Sequence, residues 1–112
     1  MRNTIKSKSD IEDLFGNGRR FKSKGVIIIV APTKEGRGQL GRVAFVAGKK
    51  LGSAPKRNYA KRVMRQICSE IGGSWPGLDV VFMARNPLFD MDYRLLREDC
   101  RSMVERALTE LA

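Results

Sequence analysis

Histidine is absent from the 112 residues. That removes imidazole acid–base pairs, Ser-His-Asp and Cys-His nucleophiles, and His-ligated metals. The two cysteines, Cys68 and Cys100, are too few for a disulfide framework and show no metal-ligand spacing. Both fall on apolar helical stripes, as small buried hydrophobes do in a reducing compartment. No run of residues approaches the roughly 20 apolar positions of a membrane span. The opening stretch lacks the apolar segment of a secretory signal, so a cytoplasmic protein is expected. The acids are scattered, which leaves no obvious carboxylate cluster for a two-metal nuclease. No catalytic residue and no metal ligand is therefore assigned to the chain.

The most telling gap is in the acids. Between residues 36 and 69 there is neither Asp nor Glu, yet the segment holds Arg37, Arg42, Lys49, Lys50, Lys56, Arg57, Lys61, Arg62 and Arg65. Salt-bridge lacing interleaves the two signs. A one-sign segment in a chain with net charge +10 points instead to an anionic partner. Nucleic acid leads that field, ahead of an anionic membrane or an acidic protein. A chain this short suits one domain, 1–112, with little room for a deep catalytic cleft.

The patterning predicts α+β order. Ser9 and Glu12 fit a capping box opening a helix that ends near residue 16. Residues 26–31 read as a strand buried on both faces, with an extra strand or extension near Phe21. Residues 32–41 read as a hairpin connection to a returning strand at 42–47. Ser53 as N-cap and Pro55 in the first turn open a helix to about Ile71, stopped by Gly72 and Gly73. A strand at 78–84 and a final helix to about Leu111, capped by Asp90 or Asp92, complete α-β-β-(β)-α-β-α. A mixed sheet with helices packed on it follows.

The central helix carries the chemistry. Ala60, Val63, Met64, Ile67, Cys68 and Ile71 form one apolar face. Arg57, Asn58, Lys61, Arg62 and Arg65 share an arc of roughly 140° on the other side. Like charges at i, i+4 repel, so such a face points to compensation in a bound state. Arg matches phosphate with a planar fork, Lys adds a point charge, and Asn58 can reach a ribose hydroxyl or base edge. The helix N-terminus offers backbone donors and a positive dipole end. With Lys49, Lys50 and Lys56 these residues form the expected RNA-binding set. The same charge also fits a basic ribosomal or RNA-chaperone-type binding protein. A DNA-binding regulator lacks the preceding helix of a helix-turn-helix.

Within 45–65, Lys49, Lys50, Gly52, Ala54, Arg57, Asn58, Lys61, Arg62 and Arg65 match the pattern of the bacterial ribonuclease P protein family, which the chain resembles over nearly its whole length. Phe15 with Gly18, the hairpin, and Ala84-Arg85 with Pro87 extend the likeness. It departs at Ile11, Ile29, Ala44, Gly48 and Pro55, and its basic N-terminal extension is thin. The resemblance implies a single-domain α/β sandwich with a left-handed β-α-β crossover, against the usual hand. It implies binding to the catalytic RNA of ribonuclease P and to the 5′ leader of precursor tRNA. No membrane and no obligate protein partner is implied. It implies hydrolysis by that RNA with Mg²⁺ bound mainly by the RNA, and a leader-binding cleft including Ile11, Phe15, Phe21 and Ile29. Single-stranded RNA is held by stacking platforms beside cations, here Arg19, Arg20 and Lys22.

Overall fold

The computed structural model describes residues 3–5, 8–33 and 41–111. The elements are β1 (Asn3–Thr4), α1 (Lys8–Asn17), β2 (Arg19–Lys22), β3 (Val26–Pro32), β4 (Arg42–Val46), α2 (Ala54–Glu70), β5 (Leu78–Ala84) and α3 (Tyr93–Leu111). Short 3₁₀ turns at Lys49–Leu51 and Asn86–Asp90 precede α2 and α3. One mixed sheet runs β1-β4-β5-β3-β2. This is the mixed sheet with packed helices that the apolar periods predict, in the α+β sandwich that the resemblance implies.

Two expectations about connection change. The strands β3 and β4 do not pair as a hairpin; β5 lies between them, antiparallel to β3 and parallel to β4. The reason is burial. Six of the seven β5 residues are buried, and a strand shielded on both faces belongs at a sheet centre, with partners on both edges. The hairpin that does form joins β2 to β3. The connection placed at 32–41 lies, for residues 34–40, outside the described residues. At the N-terminus, Ser9 sits inside the first turn of α1, which begins at Lys8, rather than at its cap.

The sheet has two cores. On one face, α2 and α3 cover Phe21, Val26, Ile28, Val43, Val80 and Phe82. On the other, α1 covers Ile29, Ala44 and Val81 through Leu14. Gly18 permits the tight exit from α1, because a Cβ there would stand 2.6 Å from both the Leu14 carbonyl and the Ile29 side chain. Cys68 and Cys100 are fully buried. Burial pushes the Cys100 thiol up to about 12, so it acts as a hydrophobe rather than a nucleophile.

Polar contacts pin the helices. Arg42 lies beneath α1, its Nη1 donating to Asp10 at 3.1 Å and its Nη2 to Asp79 at 2.7 Å. The Thr33 hydroxyl also donates to Asp79 at 3.1 Å. The hydrogen bond to Asp79, then that to Asp10, holds the Arg42 guanidinium above its ordinary pKa against the effect of burial. Arg42 therefore leaves the one-sign segment as an internally neutralised residue. Across the sheet, Arg97 of α3 donates to Glu70 of α2 at 2.9 Å. Hydrogen bonds from Arg97 and then Gln66 hold the Glu70 carboxyl below its usual range.

Two outcomes are expected. Arg42→Ala leaves two carboxylates facing each other at low exposure, and urea unfolding should show a loss of about 3–5 kcal/mol. A loss under about 1 kcal/mol would mean that the trio behaves as a surface pair. Glu70 has a lowered folded-state pKa, so its contribution is present above the ordinary value of 4.5 and fades as pH falls through the folded value. The melting advantage of the parent chain over Glu70→Gln should accordingly hold at neutral pH and vanish on acidification, read by circular dichroism.

Candidate nucleic-acid interface

The site is built outward from α2. Ser53 caps it, its hydroxyl accepting from the Lys56 N–H, and Pro55 stands in the first turn. The first-turn donors expected for an anion are thus partly spent, since Pro55 has none and Ser53 takes that of Lys56. Leu51 of the 3₁₀ turn is buried and anchors the entry loop, which leaves Lys49 and Lys50 exposed. Ala60, Met64, Ile67 and Cys68 fix the inner face of α2.

The cations divide into two groups. Asn58, Arg62 and Arg65 are exposed and Lys61 is half-buried. Arg65 is held against the Phe45 ring, Cζ to centroid 5.7 Å, an aromatic seat that limits its rotamers without consuming its donors. Arg57 is not fully outward as the helical arc suggests. It is half-buried, with Nε buried and unpaired, so its stem runs along the core edge. Lys56 lies on the opposite flank of the helix, its Nζ 4.5 Å from the Phe89 centroid.

What distinguishes these residues is the lack of protein counter-charges. Arg19, Arg42, Arg97 and Arg101 all have carboxylate partners. Among the described residues, none of Lys49, Lys50, Lys56, Arg57, Lys61, Arg62 and Arg65 does. Donors held in register along a helix and left unpaired match a chain of phosphates.

A second surface lies on the α1 side of the sheet. Ile11 and Phe15 are half-buried there, and Ile29 is the fully buried floor beneath α1. Arg20 donates to the Phe15 backbone carbonyl at 3.0 Å, which ties β2 to the end of α1. Beyond the cover of α1, the register aligns Val46, Met83, Ile27 and Lys22 in one row across four strands. The three apolar members of that row are half-buried rather than sealed. They were not singled out in the sequence, although alternation along 42–46 and 78–84 marks them as facing away from the α2–α3 core.

Phe21 does not join this cleft. It pairs with Ile28 and points to the opposite face, 3% exposed, where Arg19 and Arg106 each place Cζ 5.5 Å from its ring centroid. Ile11, Phe15 and Ile29 are brought together; Phe21 packs under α3. Among the described residues no group of three His, Cys, Asp or Glu side chains could hold a metal ion. No helix among them is long and apolar enough to cross a membrane.

Comparison with known proteins bears on the family and the fold. The family model described as Ribonuclease P matches residues 1–108. The ribonuclease P protein component of Symbiobacterium thermophilum is 33% identical over 107 residues, covering 92% of this chain and 89% of the relative. The RNase P protein structure from Staphylococcus aureus superposes with a TM-score of 0.79 at 22% identity, covering 96% of each chain. That from Thermotoga maritima gives 0.78 at 22% identity, covering 94% of this chain and 97% of the other. The two structures establish the likeness of fold.

If the outward cations serve a partner rather than the fold, Lys61→Ala, Arg62→Ala and Arg65→Ala together should leave the melting midpoint unchanged or slightly raised, through relief of like-charge repulsion. A drop of more than about 5 °C, on the order of 1 kcal/mol in a domain this size, would show that they support the core instead.

Proposed function

The chain belongs to the ribonuclease P protein family, and from that membership we propose that it is the RNA-binding subunit of ribonuclease P, assisting removal of the 5′ leader from precursor tRNA. It is the protein part of a ribonucleoprotein nuclease. In this reading α2 and the Lys49–Lys50 loop lie along the catalytic RNA, and the cleft bounded by Phe15 holds the single-stranded leader. The observation that carries it is the cation face of α2, which offers Arg forks and Lys charges at helical spacing with no carboxylate partner among the described residues. Exposed Asn58 adds a donor and an acceptor for a ribose hydroxyl or base edge.

The leader reading rests on the second surface. Phe15 supplies a ring, Ile27, Val46 and Met83 an apolar floor, and Arg20 and Lys22 a cationic rim. This is the combination that grips unpaired nucleotides with little regard for sequence. Hydrolysis is assigned to the RNA partner. We place the Mg²⁺ mainly on the RNA and route no step through this chain. The ribosomal or chaperone-type alternative accounts for the charge but not for the family match.

Reconstitution with a ribonuclease P RNA tests the proposal. The protein alone should leave precursor tRNA intact, and adding it to the RNA should lower the Mg²⁺ needed for cleavage. Phe15→Ala should weaken binding of a leader-bearing substrate by roughly 5- to 100-fold, the stacking contribution of one or more bases, while leaving leaderless tRNA unaffected. Cleavage by the purified protein, or an RNA reaction indifferent to its presence, would overturn the reading.

A further inference from the structure

The flank of α2 turned away from the cation arc carries a feature that neither surface above uses. Tyr59 is 48% exposed and, with Leu95, is one of two large hydrophobic side chains left exposed among the described residues. Its ring stacks on Phe89, centroids 6.3 Å apart and planes 28° from parallel. Phe89 sits in the 3₁₀ turn before α3 and is packed against the main core, so the two-ring step is anchored rather than loose. Beside it a groove of about 520 Å³ is lined by Lys24, Lys56, Asn86, Phe89, Asp90 and Met91.

The chemistry of this ledge narrows what it can hold. An apolar peptide segment would meet two lysines, an amide and a carboxylate in the groove, and would leave them unpaired. A regular duplex keeps its base faces stacked on one another and cannot offer one to Tyr59. An unpaired nucleotide meets both halves, with its base on the free face of Tyr59 and its phosphate between Lys56 and Lys24. Asp90 repels phosphate from its own end of the groove and so sets the direction of the strand. The ledge also continues the α2 interface. Tyr59 stands roughly 60° around the helix from Arg62, three residues on, so one RNA can reach both.

We propose that Tyr59, Phe89, Lys56 and Lys24 form a second contact on α2, which takes one unpaired nucleotide of the RNA lying along the cation arc. This rests on the reading of α2 as the RNA-binding helix, and it divides the cations into a phosphate-tracking arc and a stacking flank. Lys56 then works with the flank, not with Arg57 and Lys61.

The test measures affinity of the full chain for a ribonuclease P RNA at fixed salt, alongside cross-linking from benzoylphenylalanine in place of Tyr59. Tyr59→Ala should weaken binding by roughly 5- to 100-fold, and Tyr59→Phe should restore it, because the ring and not the hydroxyl is used. The cross-link should map to a nucleotide outside the paired helices. Tyr59→Ala within twofold of the parent, or cross-links confined to paired nucleotides, would overturn the ledge. A combined Lys61→Ala, Arg65→Ala variant separates the two claims. If it binds weakly while Tyr59→Ala binds normally, only the ledge falls. If both bind normally, the reading of α2 falls and the ledge with it.

Discussion

The molecule turns on a repulsion held in place. Arg57, Lys61 and Arg65 succeed one another at i, i+4 spacing along α2, and among the described residues no carboxylate pairs with them. What keeps them together is the opposite side of the same helix, where Ala60, Met64, Ile67 and Cys68 are locked into the larger core. Burial of that apolar face outweighs the few tenths of a kcal/mol that each like-charge pair costs. The free energy of folding thus maintains a surface whose charges the described carboxylates leave unbalanced. A polyanion bound at such a surface would release counterions, which makes that kind of association salt-dependent.

Elsewhere the same chain neutralises its charges with care. Arg42 is bracketed by Asp10 and Asp79 under α1, and Arg97 reaches from α3 to Glu70 on α2. The first fixes the helix that walls the cleft; the second braces the helix that carries the cations. Paired and unpaired arginines therefore mark different duties. Arg42 and Arg97 meet carboxylates and position helices, whereas Arg62 and Arg65 meet none among the described residues and stay exposed on α2.

Much of this was legible in the sequence, because it is local. The period of 3.6 in 54–71, the Ser53 cap and Pro55 gave α2 almost to the residue, and the acid-free stretch gave its outer face. What escaped was long-range. Arg42 reads as one more free cation until the fold brings in Asp10 and Asp79, 32 and 37 residues away. The insertion of β5 between β3 and β4 follows from which strand can be shielded on both faces, not from any turn signal. Phe21 was misplaced because β2 has only four residues, Arg-Arg-Phe-Lys, too few for alternation to show which face meets which core. Lys56 went with its sequence neighbours, although one residue along a helix is 100° around it.

The margins of the sheet have a bearing on life without RNA. One margin is β1, Asn3–Thr4 among the described residues; the other is β2, four residues with three cations. A four-residue strand bearing three cations makes a poor template for a foreign strand. The protein part of a ribonucleoprotein must persist in the interval between synthesis and assembly. Here protection from sheet-to-sheet aggregation comes from the borders of the fold, leaving α2 free of any duty to guard them.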